Sequence, residues 1–320
     1  MAGTMLAFYE EAFLAPKVWG NLFEMISDTA FLKKLAMVRE IPTLPEVMED
    51  VMGAVAADDS SARELAVILS KDQALGSKIL KVANSAFFAQ NRKIFDIRDA
   101  VVLLGFDSIA QLTLSTAVIT AFGSMRPREG FDLYGFWRHS IATALASKMI
   151  AQNIGRSDEH RMAYTAGLLH DIGKLVLVSY FSGRWASVLE RLESDDLFFH
   201  EAERLVLGFT HCDIAEWLCN RWNFPEKLVY SIARHHNDAH SKYPLNRGAR
   251  IVRLADTICN RLRVGNSGNK KIYPLIRAEY SPLGIYKKDI KAIEQRLEER
   301  RGEIESILMV LGRGAGEMNS

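Results

Sequence analysis

Cysteine is scarce in this 320-residue chain: there are three, Cys212, Cys219 and Cys259, and none has the close spacing of a zinc ribbon or redox motif. Packing roles for unpaired thiols in a reducing compartment are the expectation. Net charge is missing too. Forty Lys and Arg against 39 Asp and Glu leave a formal charge of +1, which removes any whole-chain electrostatic case for nucleic acid or an anionic membrane. Lys270, Lys271, Arg261 and Arg263 form only a local basic cluster, so nucleic acid is not an expected partner. Met1 to Gly20 carries Glu10 and Glu11 and lacks the apolar core and cleavage site of a signal peptide. The longest uncharged segment, Ser108 to Met125, is studded with Gln111, Thr113, Ser115, Thr116 and Thr120. It reads as a buried helix and not a membrane span, so a cytoplasmic protein without membrane partners is expected. No alternating run, internal repeat or low-complexity segment is present. Gly312 to Gly316 follows no strand and opens no helix, so it is not read as a nucleotide loop.

What remains is helical periodicity, and an all-α fold is expected. Residues 1–38 place Phe8, Phe13, Trp19, Phe23, Phe31 and Leu35 at helical intervals, as an N-terminal helical extension. Pro42 and Pro45 end it, because proline lacks an N–H and disfavours helix in the residue before it. A helical lobe is expected over 39–125, with Gly105 as a stop and Asp107-Ser108 as a new start. A second helical lobe follows over 131–262. The tail, 263–320, opens on a glycine- and asparagine-rich loop expected to be mobile, then continues as one charged amphipathic helix from Lys287 to Leu311.

The second lobe carries the chemistry. His170 and Asp171 stand side by side in Gly167-Leu168-Leu169-His170-Asp171-Ile172-Gly173-Lys174, and adjacent helical residues point about 100° apart. One can therefore serve one ion while its neighbour bridges to a second. His139 shares a face with Ala142, Ala146 and Met149, and His211, His235 and His236 also sit in apolar helical contexts. His160, His200 and His240 sit in polar ones. Asp256 aligns with Val252 and Cys259, an acidic group on an apolar face that is costly to bury unpaired. Any one of these imidazoles reads most simply as a core histidine. The set, all turned inward, calls for a cation.

The order His139, His170-Asp171, His211, His235-His236, Asp256 resembles the HD superfamily of metal-dependent phosphohydrolases, in particular its HD-GYP branch. The first lobe resembles HDOD domains through Ile41 to Pro45, Ala83 to Phe87 and Leu104-Gly105. The resemblance implies an HDOD lobe packed on an HD-type lobe in a bacterial signalling protein. It implies two divalent ions, one taking His139, His170, Asp171 and Asp256, the other Asp171, His211, His235 and His236. Iron is favoured, with manganese and zinc as alternatives. Gly135 stands where some relatives use Glu for a third ion, so at most two are expected. Asp171 and Lys174 are the expected catalytic residues, Lys174 as a phosphate anchor or, equally, a helix C-terminal cation. A phosphodiesterase or phosphomonoesterase acting on a phosphoester or nucleotide is one reading. A non-catalytic scaffold with structural metals and signalling protein partners is the other. Tyr243-Pro244 lacks the fuller glycine-bearing signature of cyclic di-GMP hydrolases, so that substrate is not expected.

Overall fold

A computed structural model describes residues 42–57, 60–88, 93–123, 131–155, 159–236 and 245–312. The expectations for the N-terminal extension, for Tyr243-Pro244 and for residues 313–316 fall outside the described residues.

Among the described residues all regular structure is helical, with no strand. The first four helices are α1 (Val47–Ala56), α2 (Ala62–Leu69), α3 (Gln73–Ala83) and α4 (Ile97–Ala121). Next come α5 (Leu133–Asn153), α6 (Glu159–Leu169), α7 (Ile172–Tyr180), α8 (Ser182–Ser194), α9 (Phe199–Leu207), α10 (His211–Arg221), α11 (Glu226–Ala233) and α12 (Arg247–Arg261). After α13 (Arg277–Tyr280) and a 3₁₀ turn, α14 (Lys287–Glu299) and α15 (Arg301–Gly312) complete the order. Ser61, Asp72, Asp96, Asp132 and Asn246 each accept a bond from the backbone N–H three residues on, satisfying a donor that a helix start leaves without an intrahelical partner.

The helix α4 leaves helical geometry at Gly105, where the sequence placed its stop. By length and composition alone it could cross a membrane, yet 61% of its most apolar window is buried in the protein. Two of its polar groups are matched inside: Thr113 Oγ1 donates to Ile109 O at 2.7 Å, and Ser115 Oγ lies 2.9 Å from the Tyr164 hydroxyl. Beyond the kink, Asp107 meets His160 Nε2 at 2.7 Å and Arg161 Nε at 2.8 Å, tying α4 to α6.

The core centres on α5, which packs against α6 and α12, with α11 beside α12. Ala142, Ala144, Ala146 and Ala151 are buried along α5, and such small residues let neighbouring backbones approach. The tail differs from the single helix expected. It turns at Arg300 into α14 and α15, which allows both apolar stripes, Ile290/Ile293/Leu297 and Ile304/Ile307/Leu308, to be buried.

The segment between α12 and α13 also departs from expectation, because it is packed down. Val264 and Ser267 are buried, and Asn266 N donates to Gly135 O at 2.8 Å. A β-carbon on Gly135 would overlap the Asp132 carboxylate and stand 2.8 Å from Asn266 Cβ. No side chain fits there, so the strap lies directly on the start of α5, one turn from His139.

Candidate metal centre

Seven side chains from α5, the α6–α7 junction, α10, the end of α11 and α12 converge in the interior. His139, His170, Asp171, His211, His235 and Asp256 are at most 2% exposed, and His236 is half-buried. One ligand-capable atom from each of His139, His170 and Asp256 lies within 4.8 Å of the others; the same holds for His170, Asp171 and His235, and for His211, Cys212, His235 and His236. The sequence expected all of these except Cys212. That thiol lies 3.8 Å from His235 Nδ1, the nitrogen that donates to Ile232 O at 2.7 Å. Cys212 thus lies on the Nδ1 side of the His235 ring.

Local structure aims the groups. His170 Nδ1 donates to Gly167 O at 2.8 Å, and a backbone carbonyl can only accept, so in both His170 and His235 Nε2 is the nitrogen left to face the cluster. Asp171 reaches both ways: Oδ2 is 3.4 Å from His170 Nε2 and Oδ1 is 3.2 Å from His211 Nε2. Asp256 Oδ1 meets His139 Nε2 at 2.9 Å and His170 Nε2 at 3.6 Å. Gly173 sets the register between α7 and α10, because a β-carbon there would overlap the carbonyl oxygen of His211.

Lys174 is fully buried. Its Nζ donates to Asp171 Oδ2 at 2.8 Å, Ser267 O at 2.9 Å and Asn269 Oδ1 at 3.3 Å. An ammonium has three donors, and here all three go to protein oxygens, leaving none for the phosphate expected of it. The bonds continue: Ser267 Oγ donates to Asn260 Oδ1 at 2.6 Å, and Asn260 Nδ2 to Asp256 Oδ1 at 2.7 Å. Strap, lysine and both carboxylates thus form one connected network.

Electrostatics divide the cluster. Burial by itself raises the Asp171 carboxyl, but His170 and Lys174 more than offset it and hold the group well below the usual carboxylate range. Burial likewise raises Asp256, and His139 and His170 more than offset it. Burial lowers His170, yet the same two carboxylates push it up to about 10. Burial drives His211 and His236 well below their ordinary value, helped by Lys174 and His235 respectively. His235 falls to about 4, from burial and then His170.

Several inward atoms have no hydrogen-bond partner: Nε2 of His170, His211 and His235, both nitrogens of His236, and Asp171 Oδ1. Buried polar groups are rarely left so. A mixed set of imidazole and carboxylate donors is the chemistry of a transition-metal site, and the residues present fit divalent cations.

Among the described residues the mouth is narrow. Phe198, His200, His236, Asn269, Lys271 and Tyr273 line a cavity that reaches Asp256, with room for about one water molecule. His200 stacks on His236 at 4.5 Å between ring centroids, and Tyr273 on Phe198 at 4.3 Å. Lys270 and Lys271, the core of the basic cluster, pair with Glu193 and Asp196.

Sequence reasoning passed over His200, Glu203, Asn260, Ser267 and Tyr273. Glu203 carried a readable signal: with Phe199 and Leu207 it lies at four-residue intervals on the buried side of α9, the same acidic-on-apolar pattern that singled out Asp256.

A helical body closed around a His/Asp cluster defines the class. A family profile for the HDOD domain matches residues 41–238, and the chain belongs to the HDOD family. It is similar to the crystal structure of an HDOD domain protein of unknown function from Geobacter sulfurreducens, with a TM-score of 0.73 and 26% identity over 87% of this chain and 96% of that one. A protein of Marinobacter aquaeolei VT8 provisionally named for signal transduction gives 0.71 and 25%, over 85% of this chain and 60% of that one. One of Shewanella amazonensis SB2B provisionally named a phosphohydrolase gives 0.66 and 26%, over 87% and 97%. An uncharacterized protein of Treponema pallidum (strain Nichols) is 26% identical over 64% of this chain but only 39% of its own length, so the chain spans well under half of that relative.

Proposed function

We propose that this chain is an HDOD signalling protein of the bacterial cytoplasm whose buried cluster holds two divalent cations, iron favoured over manganese and zinc, and hydrolyses a phosphoester or nucleotide. The observation that carries this reading is the set of partnerless inward atoms on His170, Asp171, His211, His235 and His236. His139, His170 and Asp256 would hold one cation, and His211, His235 and His236 the other, with Asp171 reaching both. Cations held there supply Lewis acidity toward a phosphoryl group and activate water near neutral pH. The chain's own residues do the positioning: Lys174 pins one oxygen of Asp171, and the strap fixes Asp256 through Asn260 and Ser267.

The second reading is a regulatory scaffold with structural cations and a protein partner, which the one-water cavity beside Asp256 favours, since a phosphoester does not fit in it without ring movement. Elemental analysis of protein purified anaerobically without chelators, followed by chromogenic phosphomonoester and phosphodiester assays, separates the two. About two ions per chain and turnover that Asp171→Asn abolishes are expected for the hydrolase. Two ions with no turnover selects the scaffold, and a folded protein without metal rejects both.

A further inference from the structure

The His211 ring is gripped differently from the others. His170 and His235 give their Nδ1 protons to neutral backbone carbonyls, of Gly167 and Ile232. His211 is held by a carboxylate: Glu203 Oε2 accepts its backbone N–H at 3.0 Å and lies 2.5 Å from its Nδ1. Two points of attachment on one residue fix both the start of α10 and the ring. With Glu203 ionised, Nδ1 carries the shared proton and donates it to Oε2. Only Nε2, facing Asp171 Oδ1 at 3.2 Å, keeps a free lone pair.

Accepting the His211 backbone N–H at the start of α10 needs only a neutral acceptor, not a carboxyl. Glu203 is fully buried on α9, and its other oxygen has no hydrogen-bond partner. An apolar residue of that size would suit the same face, and burying a carboxyl so sparsely satisfied is unfavourable. A carboxylate behind an imidazole does one useful thing in such a place: it fixes the tautomer and strengthens the opposite nitrogen as a donor.

We propose that Glu203 is a positioning residue for the metal centre, orienting His211 so that Nε2 serves the cation it would share with Asp171, His235 and His236. The proposal rests on the metal-centre reading above. It adds an asymmetry, because among the described residues His211 has a carboxylate behind Nδ1, whereas His170 at the other end has a neutral carbonyl. Loss of Glu203 weakens that end and leaves the His139/His170/Asp256 end in place.

The test is Co²⁺ titration of metal-free wild-type, Glu203→Gln and Glu203→Leu proteins, read by competition with a chromophoric chelator and by the visible d–d absorption. Glu203→Gln keeps a hydrogen-bond acceptor but loses the charge, so it folds as wild type and keeps both sites. One of the two affinities falls about 10–100-fold, with a shifted absorption band. Glu203→Leu loses that ion altogether. Thermal melts of the metal-free proteins check folding, and Glu203→Gln carries the test if Glu203→Leu does not fold. Wild type that takes up two Co²⁺ while Glu203→Gln matches it in affinity and spectrum overturns the proposal alone. Wild type that takes up none overturns the metal centre, and this role with it.

Discussion

Lys174 Nζ lies 2.8 Å from Asp171 Oδ2, one helical turn along the chain, with both side chains about 1% exposed. A pair this deep owes its place to mutual compensation, since each charge alone in the interior is far costlier than the two together.

Lys174→Met leaves Asp171 without its cation. In metal-free protein this costs about 3–5 kcal/mol, and added divalent metal recovers part of the loss by supplying positive charge. Urea unfolding with and without chelator measures both effects. Equal losses in the two conditions would separate Lys174 from the centre.

Gly173→Ala forces apart the first turn of α7 and the backbone of His211, because the new methyl meets a carbonyl oxygen and not a flexible side chain. A cost of about 1–3 kcal/mol is expected for such overpacking, with weaker metal binding at the His211 end. Denaturation and chelator competition on the same variant check the two together. Wild-type metal affinity would show that the register of α7 on α10 does not position the ligand.

The Asp107 carboxyl gives a pH signature outside the cluster. Burial raises it, but the bonds to His160 and Arg161 more than offset this and hold it below its ordinary value. The unfolded chain therefore takes up this proton first as pH falls. The stabilisation is complete above the unfolded value, about 3.9, and is lost as pH drops through the lower folded value. Asp107→Asn is expected to flatten the fall in stability below about pH 5. Unfolding free energies at several pH values, wild type against variant, test it, and parallel curves would count against the link.

Much of this was readable from the chain because burial leaves a period. His139, His170, His211 and Asp256 all stand on apolar faces, and each turned inward as that face required. The strap was not readable. Its glycines and asparagines look like a mobile loop, and only the space over Gly135 and the Lys174 ammonium shows why it is held down. The role of Lys174 was missed for the same reason, since its three acceptors include two residues more than ninety positions away in sequence. His200 looked polar by its neighbours and became a ring in the mouth only through tertiary stacking.

The one-water mouth has a kinetic consequence. Tyr273 Oη lies 3.5 Å from His200 Nε2 and a chelator is far larger than the cavity beside them, so a cation inside is shielded from direct attack by this route. Removal by this route waits for the rings to swing or the strap to lift. The rate of metal loss then saturates as chelator concentration rises, and its plateau is the opening rate of the protein itself.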